Sequence, residues 1–111
     1  MRFAFNHLLN FLNANYRTEI MQYEWDEAKR EANLRKHRLD FLVAHRVYES
    51  LEKITYRLKS APEERFLDVA YVEFQGAVLA LVYTMRSGTI RFISFRFASR
   101  KERRRYAASK S

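Results

Sequence analysis

The chain is 111 residues long, 48% hydrophobic and 15% aromatic, with a formal net charge of +8. That length suits one domain with a modest core. The absence of cysteine excludes a disulfide framework and a thiolate metal site and fits a reducing cytoplasm. His7, His37 and His45 lack the paired spacing that zinc requires, so no metal or other cofactor is expected.

Residues 1–20, MRFAFNHLLNFLNANYRTEI, set Phe5, Leu8, Leu9, Leu12 and Tyr16 at helical spacing, which allows a short amphipathic helix. The apolar run is broken by asparagines. It is too short to span a bilayer and lacks a convincing cleavage site, so no membrane association is expected. Met21 opens a cleaner segment and reads as the natural start or near it. Residues 1–20 would then be an appendage to a domain over 21–111.

YEWDEAKREANLRKH (23–37) reads as a short extended lead and then a helix capped by Asp26. Ala28 and Ala32 give it a thin apolar edge. Lys29, Asn33 and Lys36 recur at i, i+4 and i+7 with His37 at the margin, a polar stripe that is either a wet face or a groove wall. LDFLVAHRVYESL (39–51) restarts after Asp40, with a core stripe of Phe41, Ala44, Val47, Tyr48 and Leu51 and a structural His45 beside it.

From Arg65 the period changes to two. RFLDVAYVEF, AVLALVYTMR and TIRFISFRF read as three strands joined at Gln75-Gly76 and Ser87-Gly88, links that favour hairpins. A basic helix follows from about Ser99. The expected fold is a small α+β domain, with two N-terminal helices packed on a three- to four-stranded antiparallel sheet and a C-terminal basic helix.

The charge is uneven. Residues 86–111 carry nine basic groups against Glu102 alone, leaving twelve basic and twelve acidic groups before them. Such a patch suits a polyanion or an acidic protein, or is simply a solvated tail. Two-residue hairpins would place Arg65 opposite Arg86 and Arg91 opposite Thr84, all on one sheet face. Tyr83, Asp68, Phe92 and Arg96 would lie on the other face. Opposed arginines need an anion, either internal (Glu24, Asp26, Asp40 or Glu64) or a phosphate. A one-residue bulge would invert the affected strand.

The stretch EWDEAKREANLRKHRLDF, the Glu64-Arg65 pair leading a strand, and VYTMRSGTIRFISFRFASRKERRRY together resemble the BrnT toxin family of type II toxin–antitoxin systems. The residues that carry the likeness are Trp25-Asp26, Lys29, Asn33, Lys36-His37, Phe41, Glu64-Arg65, Tyr83, Arg91, Ile93-Ser94, Arg96, Ala98, Glu102-Arg103 and Tyr106. The resemblance implies a RelE-like fold and a cytoplasmic endoribonuclease that cuts RNA and arrests growth. It also implies a cognate BrnA-type antitoxin, with operator DNA bound only by the toxin–antitoxin complex. Arg38 and Tyr71 stand where the family carries glycine, Phe95 where it carries a small residue, and Phe97 where it carries a polar or basic one.

RNA cleavage without metal needs a base for the ribose 2′-OH, cations for the phosphorane and an acid for the leaving 5′-oxygen. On the family motif, Arg65 and Arg96 are expected to hold the scissile phosphate, with His37 or Lys36 moving protons. Arg86, Arg91 and Lys29 would bind flanking RNA, and Tyr83 would stack a base. Sheet parity separates Arg65 from Arg96 unless a bulge near Phe95 or in the Ser87-Gly88 link intervenes. Plainer readings stand beside these. His37 can be a helix-end cation and Tyr83 a core residue. The whole chain can be a non-catalytic nucleic-acid-binding or partner-docking module.

Overall fold

A computed structural model describes residues 2–5 and 22–111. The short helix that the spacing from Phe5 to Tyr16 allows falls, beyond Phe5, outside the described residues, and Phe5 itself lies in a strand. Strand β1 (Arg2–Phe5) pairs antiparallel with β2 (Gln22–Trp25). There follow helix α1 (Glu27–His37), a 3-10 turn (Phe41–Val43), helix α2 (His45–Tyr48) and strand β3 (Ile54–Lys59). Strands β4 (Arg65–Val72), β5 (Ala77–Arg86) and β6 (Thr89–Phe97) and helix α3 (Arg100–Ser109) complete the order.

The α+β class is as expected, but the sheet is larger and mixed. Its order is β1-β2-β6-β5-β4-β3, with β2 parallel to β6 and the other pairs antiparallel. Three strands are not marked by the sequence pattern, the first being β1, which begins the segment whose spacing allows a helix. The four-residue β2 reads in the sequence as a lead into the helix. In β3, ITYRLK, the apolar alternation is interrupted by the charges that edge strands carry.

The helix expected over 39–51 shrinks to the 3-10 turn and the single turn of α2. Asp40 accepts from the Leu42 N–H at 3.0 Å and tightens the first turn. Phe41, Ala44 and Val47, each fully buried, are spaced by three, which a 3-10 geometry eclipses onto one face. Leu51, assigned to that core stripe, lies beyond the helix and is fully exposed.

The meander from Arg65 is present, with one change of register. The β4–β5 connection takes four residues, because Val72 pairs with Ala77, and Gly76 closes the turn at φ 67°. Arg65 therefore lies opposite Thr84 rather than Arg86, a slip of two that keeps the side chain on the expected face. The Ser87-Gly88 link is a true two-residue hairpin, with both residues at positive φ.

Between the sheet and the segment of the 3-10 turn and α2 the core is aromatic. The Trp25 and Tyr23 rings stack on Phe92 with centroids 5.8 and 5.2 Å away, and Phe41 meets Phe92 edge-on. Asp68 is buried in this layer. It is held by Lys53 at 2.7 Å, by the Thr55 hydroxyl at 2.6 Å and by the Tyr83 hydroxyl at 3.1 Å.

Candidate active site

Helix α1 begins as the sequence suggests: Asp26 accepts from the Ala28 and Lys29 N–H groups. Its C-terminal residue is His37, and Arg38 ends it in the left-handed conformation at φ 62°. The helix runs beside β6, which β2 pairs only as far as Arg91. Between them lies a shallow cleft of about 210 Å³ lined by Lys29, Ala32, Asn33, Lys36, His37, Ile93 and Ser94.

A bulge shapes the cleft floor. Tyr83 pairs with Phe92 and Val82 with Ser94, so Ile93 is the extra residue. Beyond it Arg96 pairs with Ala80, on the sheet face that carries Arg65 and Arg91. The bulge thus removes the parity conflict between Arg65 and Arg96. It lies two residues before Phe95.

Arg96 is close enough to His37 to act on it electrostatically. Burial, then the charges of Lys36 and Arg96, hold the imidazole below its ordinary pKa of 6.5. The Arg96 guanidinium is gripped by both oxygens of Glu102, at 2.8 and 3.0 Å. That bond, with the Ser99 N–H behind it, keeps the Glu102 carboxyl down at about 2. Arg96 is consequently a fixed cation beside a neutral imidazole.

The structure thus gathers Lys29, Lys36, His37 and Arg96, and leaves Arg65 apart. From the β5 positions opposite them, Arg65 and Arg96 differ by four residues along the strands and two strands across. That amounts to about 13 Å by about 10 Å. Arg96 turns to Glu102 on α3, whereas Arg65 lies 3.9 Å from Glu63 at the other end. A joint grip on one scissile phosphate does not fit this placement.

Arg65 belongs instead to a second basic group with Arg86 and Arg91. Among the described residues, acidic neighbours are internal: Glu63 lies 3.4 Å from Arg86 and Glu24 3.5 Å from Arg91. Glu24 was among the anions expected there; Glu63 was missed, being one residue outside the Glu64-Arg65 pair. The Arg65 Nε is buried and has no hydrogen-bond partner among the described residues.

Tyr83 is corrected as a base-stacking residue. It is 3% exposed, with its ring against Phe66 and edge-on to Tyr48. Burial and then Asp68 push its hydroxyl pKa up. His45 is half-buried against Tyr23, as expected of a structural histidine. Glu102 and Ser94 were not singled out as site residues. The Ser99-x-x-Glu102 capping signature, fully formed here, was the available signal for Glu102.

The family model for the ribonuclease toxin BrnT of type II toxin–antitoxin systems matches residues 25–102. The chain belongs to the BrnT family. No curated protein matches it. Apart from Ala32, every residue lining the cleft is one on which the BrnT resemblance rests, and so are Arg96 and Glu102 beside it. Of the two family glycine positions, Arg38 occupies a left-handed helix end, whereas Tyr71 is an ordinary paired strand residue opposite Val78. No helix among the described residues is long and apolar enough to cross a membrane.

Proposed function

We propose that this chain is a BrnT-type endoribonuclease toxin that cuts RNA without metal at the α1–β6 cleft. The observation that carries the reading is the convergence there of Lys29, Lys36 and His37 with Arg96. Neutral His37 takes the proton of a ribose 2′-OH, whose oxygen attacks the adjacent phosphorus. The P–O5′ bond breaks, and the departing oxygen takes a proton from the Lys36 ammonium. Arg96 and Lys29 stabilise the charge that builds on the phosphorane. The products are a 2′,3′-cyclic phosphate and a free 5′-hydroxyl. Arg65, Arg86 and Arg91 hold flanking phosphates further along the same sheet face.

The +8 charge gives a cytoplasmic partner protein a surface to neutralise. A BrnA-type antitoxin that covers the basic face would silence the toxin, and operator DNA would be bound by the complex alone. The test is incubation with a labelled RNA in EDTA followed by end-group analysis. Cyclic-phosphate ends that disappear with Arg96→Ala and His37→Ala support the reading. Intact RNA with a salt-dependent mobility shift leaves a binding module and removes the enzyme.

A further inference from the structure

Helix α1 has an unusual attachment to the sheet. Its one buried residue is a polar one, Asn33, which is 8% exposed. Most amphipathic helices are set in place by an apolar stripe. Here Ala28 and Ala32 remain exposed and Leu34 is 39% exposed, so apolar burial does little to fix the helix's rotation or height.

The Asn33 carboxamide supplies the missing constraint. Its Nδ2 donates to the Phe95 carbonyl at 2.8 Å and to the Leu39 carbonyl at 3.0 Å. Its Oδ1 accepts from the Phe95 N–H at 3.0 Å. Phe95 is fully buried, and β2 does not reach its edge of β6. The amide therefore replaces a strand neighbour, satisfying both backbone groups of Phe95 at once. Only a side chain with a donor and an acceptor at this length can do so. Arg30 also anchors α1, but to Asp40 in the loop that follows rather than to β6.

Lys29, Lys36 and His37 lie at i−4, i+3 and i+4 from Asn33, on the same side of the helix, and line the cleft with it. We propose that Asn33 is a positioning residue for RNA cleavage: it pins α1 to the backbone of Phe95 and so sets Lys36 and His37 against Ser94 and Arg96. This inference rests on the ribonuclease reading, but its geometric part can be measured without turnover.

The experiment compares Asn33→Ala and Asn33→Ser with Val47→Ala, a core change in α2 away from the cleft, all well below their melting temperatures. RNA cleavage gives kcat and KM, and NMR titration follows the His37 ring. Its charged surroundings are Lys29 and Lys36 on α1, Arg96 on β6 and Glu102 behind Arg96. Both Asn33 variants should lose roughly tenfold to a hundredfold in kcat with little change in KM. Their His37 midpoint should move up towards 6.5 as burial and alignment are lost. Val47→Ala should lose stability and leave both readings unchanged. Should Asn33→Ala fail to fold, Asn33→Ser decides. If the Asn33 variants titrate like the parent chain, or change only as Val47→Ala does, the proposal is overturned. If the parent chain cuts no RNA, the ribonuclease reading falls, while the titration still tests the pinning of α1.

Discussion

Arg96 on β6 and Glu102 on α3 form a two-point ion pair at 2.8 and 3.0 Å, and the same carboxylate accepts from the Ser99 N–H at 2.8 Å. One acidic side chain thus closes a helix cap and orients the cation beside His37. Glu102→Gln keeps the shape and weakens both roles. It should cost about 1–2 kcal/mol in denaturant unfolding and lower kcat for RNA cleavage. Because the folded carboxyl is held at about 2, below its ordinary 4.5, its stabilisation is present above 4.5 and fades as pH falls through about 2. The acid-unfolding curve of Glu102→Gln should therefore converge on that of the parent chain at the lowest pH.

His37 carries the opposite charge type with the same sign of pH dependence. Its folded pKa lies below 6.5, so folding favours the neutral ring. The stabilisation is complete above 6.5 and is lost as pH falls through the folded value. Neutral imidazole is also the form that accepts a proton. The acid limb of the cleavage profile should therefore lie below 6.5 and coincide with the NMR titration of His37. A limb well above 6.5 would assign the base elsewhere.

Arg38 ends α1 at φ 62°, with its N–H donating to the Leu34 carbonyl at 2.9 Å. A side chain in the left-handed region costs free energy that glycine avoids. Arg38→Gly should raise stability by about 1 kcal/mol, measured by thermal or urea unfolding, with the His37 titration unchanged. A loss of stability would mean that the Arg38 side chain itself supports the fold.

How far the sequence reveals this arrangement differs from residue to residue. The Asp26, Asp40 and Ser99 caps were legible because capping depends on one side chain and the next few N–H groups. Sheet parity was legible for β4, for β5 and for β6 up to Phe92, since alternation survives a register slip of two, but Arg96 lies on the face opposite to the one parity gave it. The bulge at Ile93 was not, because nothing in TIRFISFRF marks the residue that leaves the ladder; a bulge appeared only as the condition for placing Arg65 and Arg96 on one face. The polar stripe of α1 was read correctly as a pattern. Which of its members is buried depended on the uncovered edge of β6, a property of strand order rather than of local sequence.

Asp68 is fully buried and its carboxylate meets Lys53, Thr55 and Tyr83. Asp68→Ala removes the anion and strands the Lys53 ammonium in a half-buried setting. The expected cost is about 3 kcal/mol, read from chemical denaturation. The network lies under α2 rather than in the cleft, so kcat should hold at temperatures where the variant stays folded. A loss of activity at full folding would tie this network to the site.

Arg65 and Arg96 supply the sharpest functional contrast, since they share a sheet face yet stand about 13 Å apart along the strands. Arg96, beside His37, belongs with the chemistry. Arg65, beside Arg86 and Arg91, belongs with the path of flanking phosphates. Arg96→Ala should lower kcat on the order of 10²-fold or more, the scale of losing one cation from a developing oxyanion. Arg65→Ala should instead raise KM and reduce the salt slope of RNA binding by about 1, with kcat nearly kept. Single-turnover cleavage, with enzyme in excess of RNA and at saturating concentration, separates the two. If Arg65→Ala abolishes the chemical step while the chain remains folded, the reacting phosphate sits on the Arg65–Arg91 patch, and the α1–β6 cleft holds a neighbouring part of the strand.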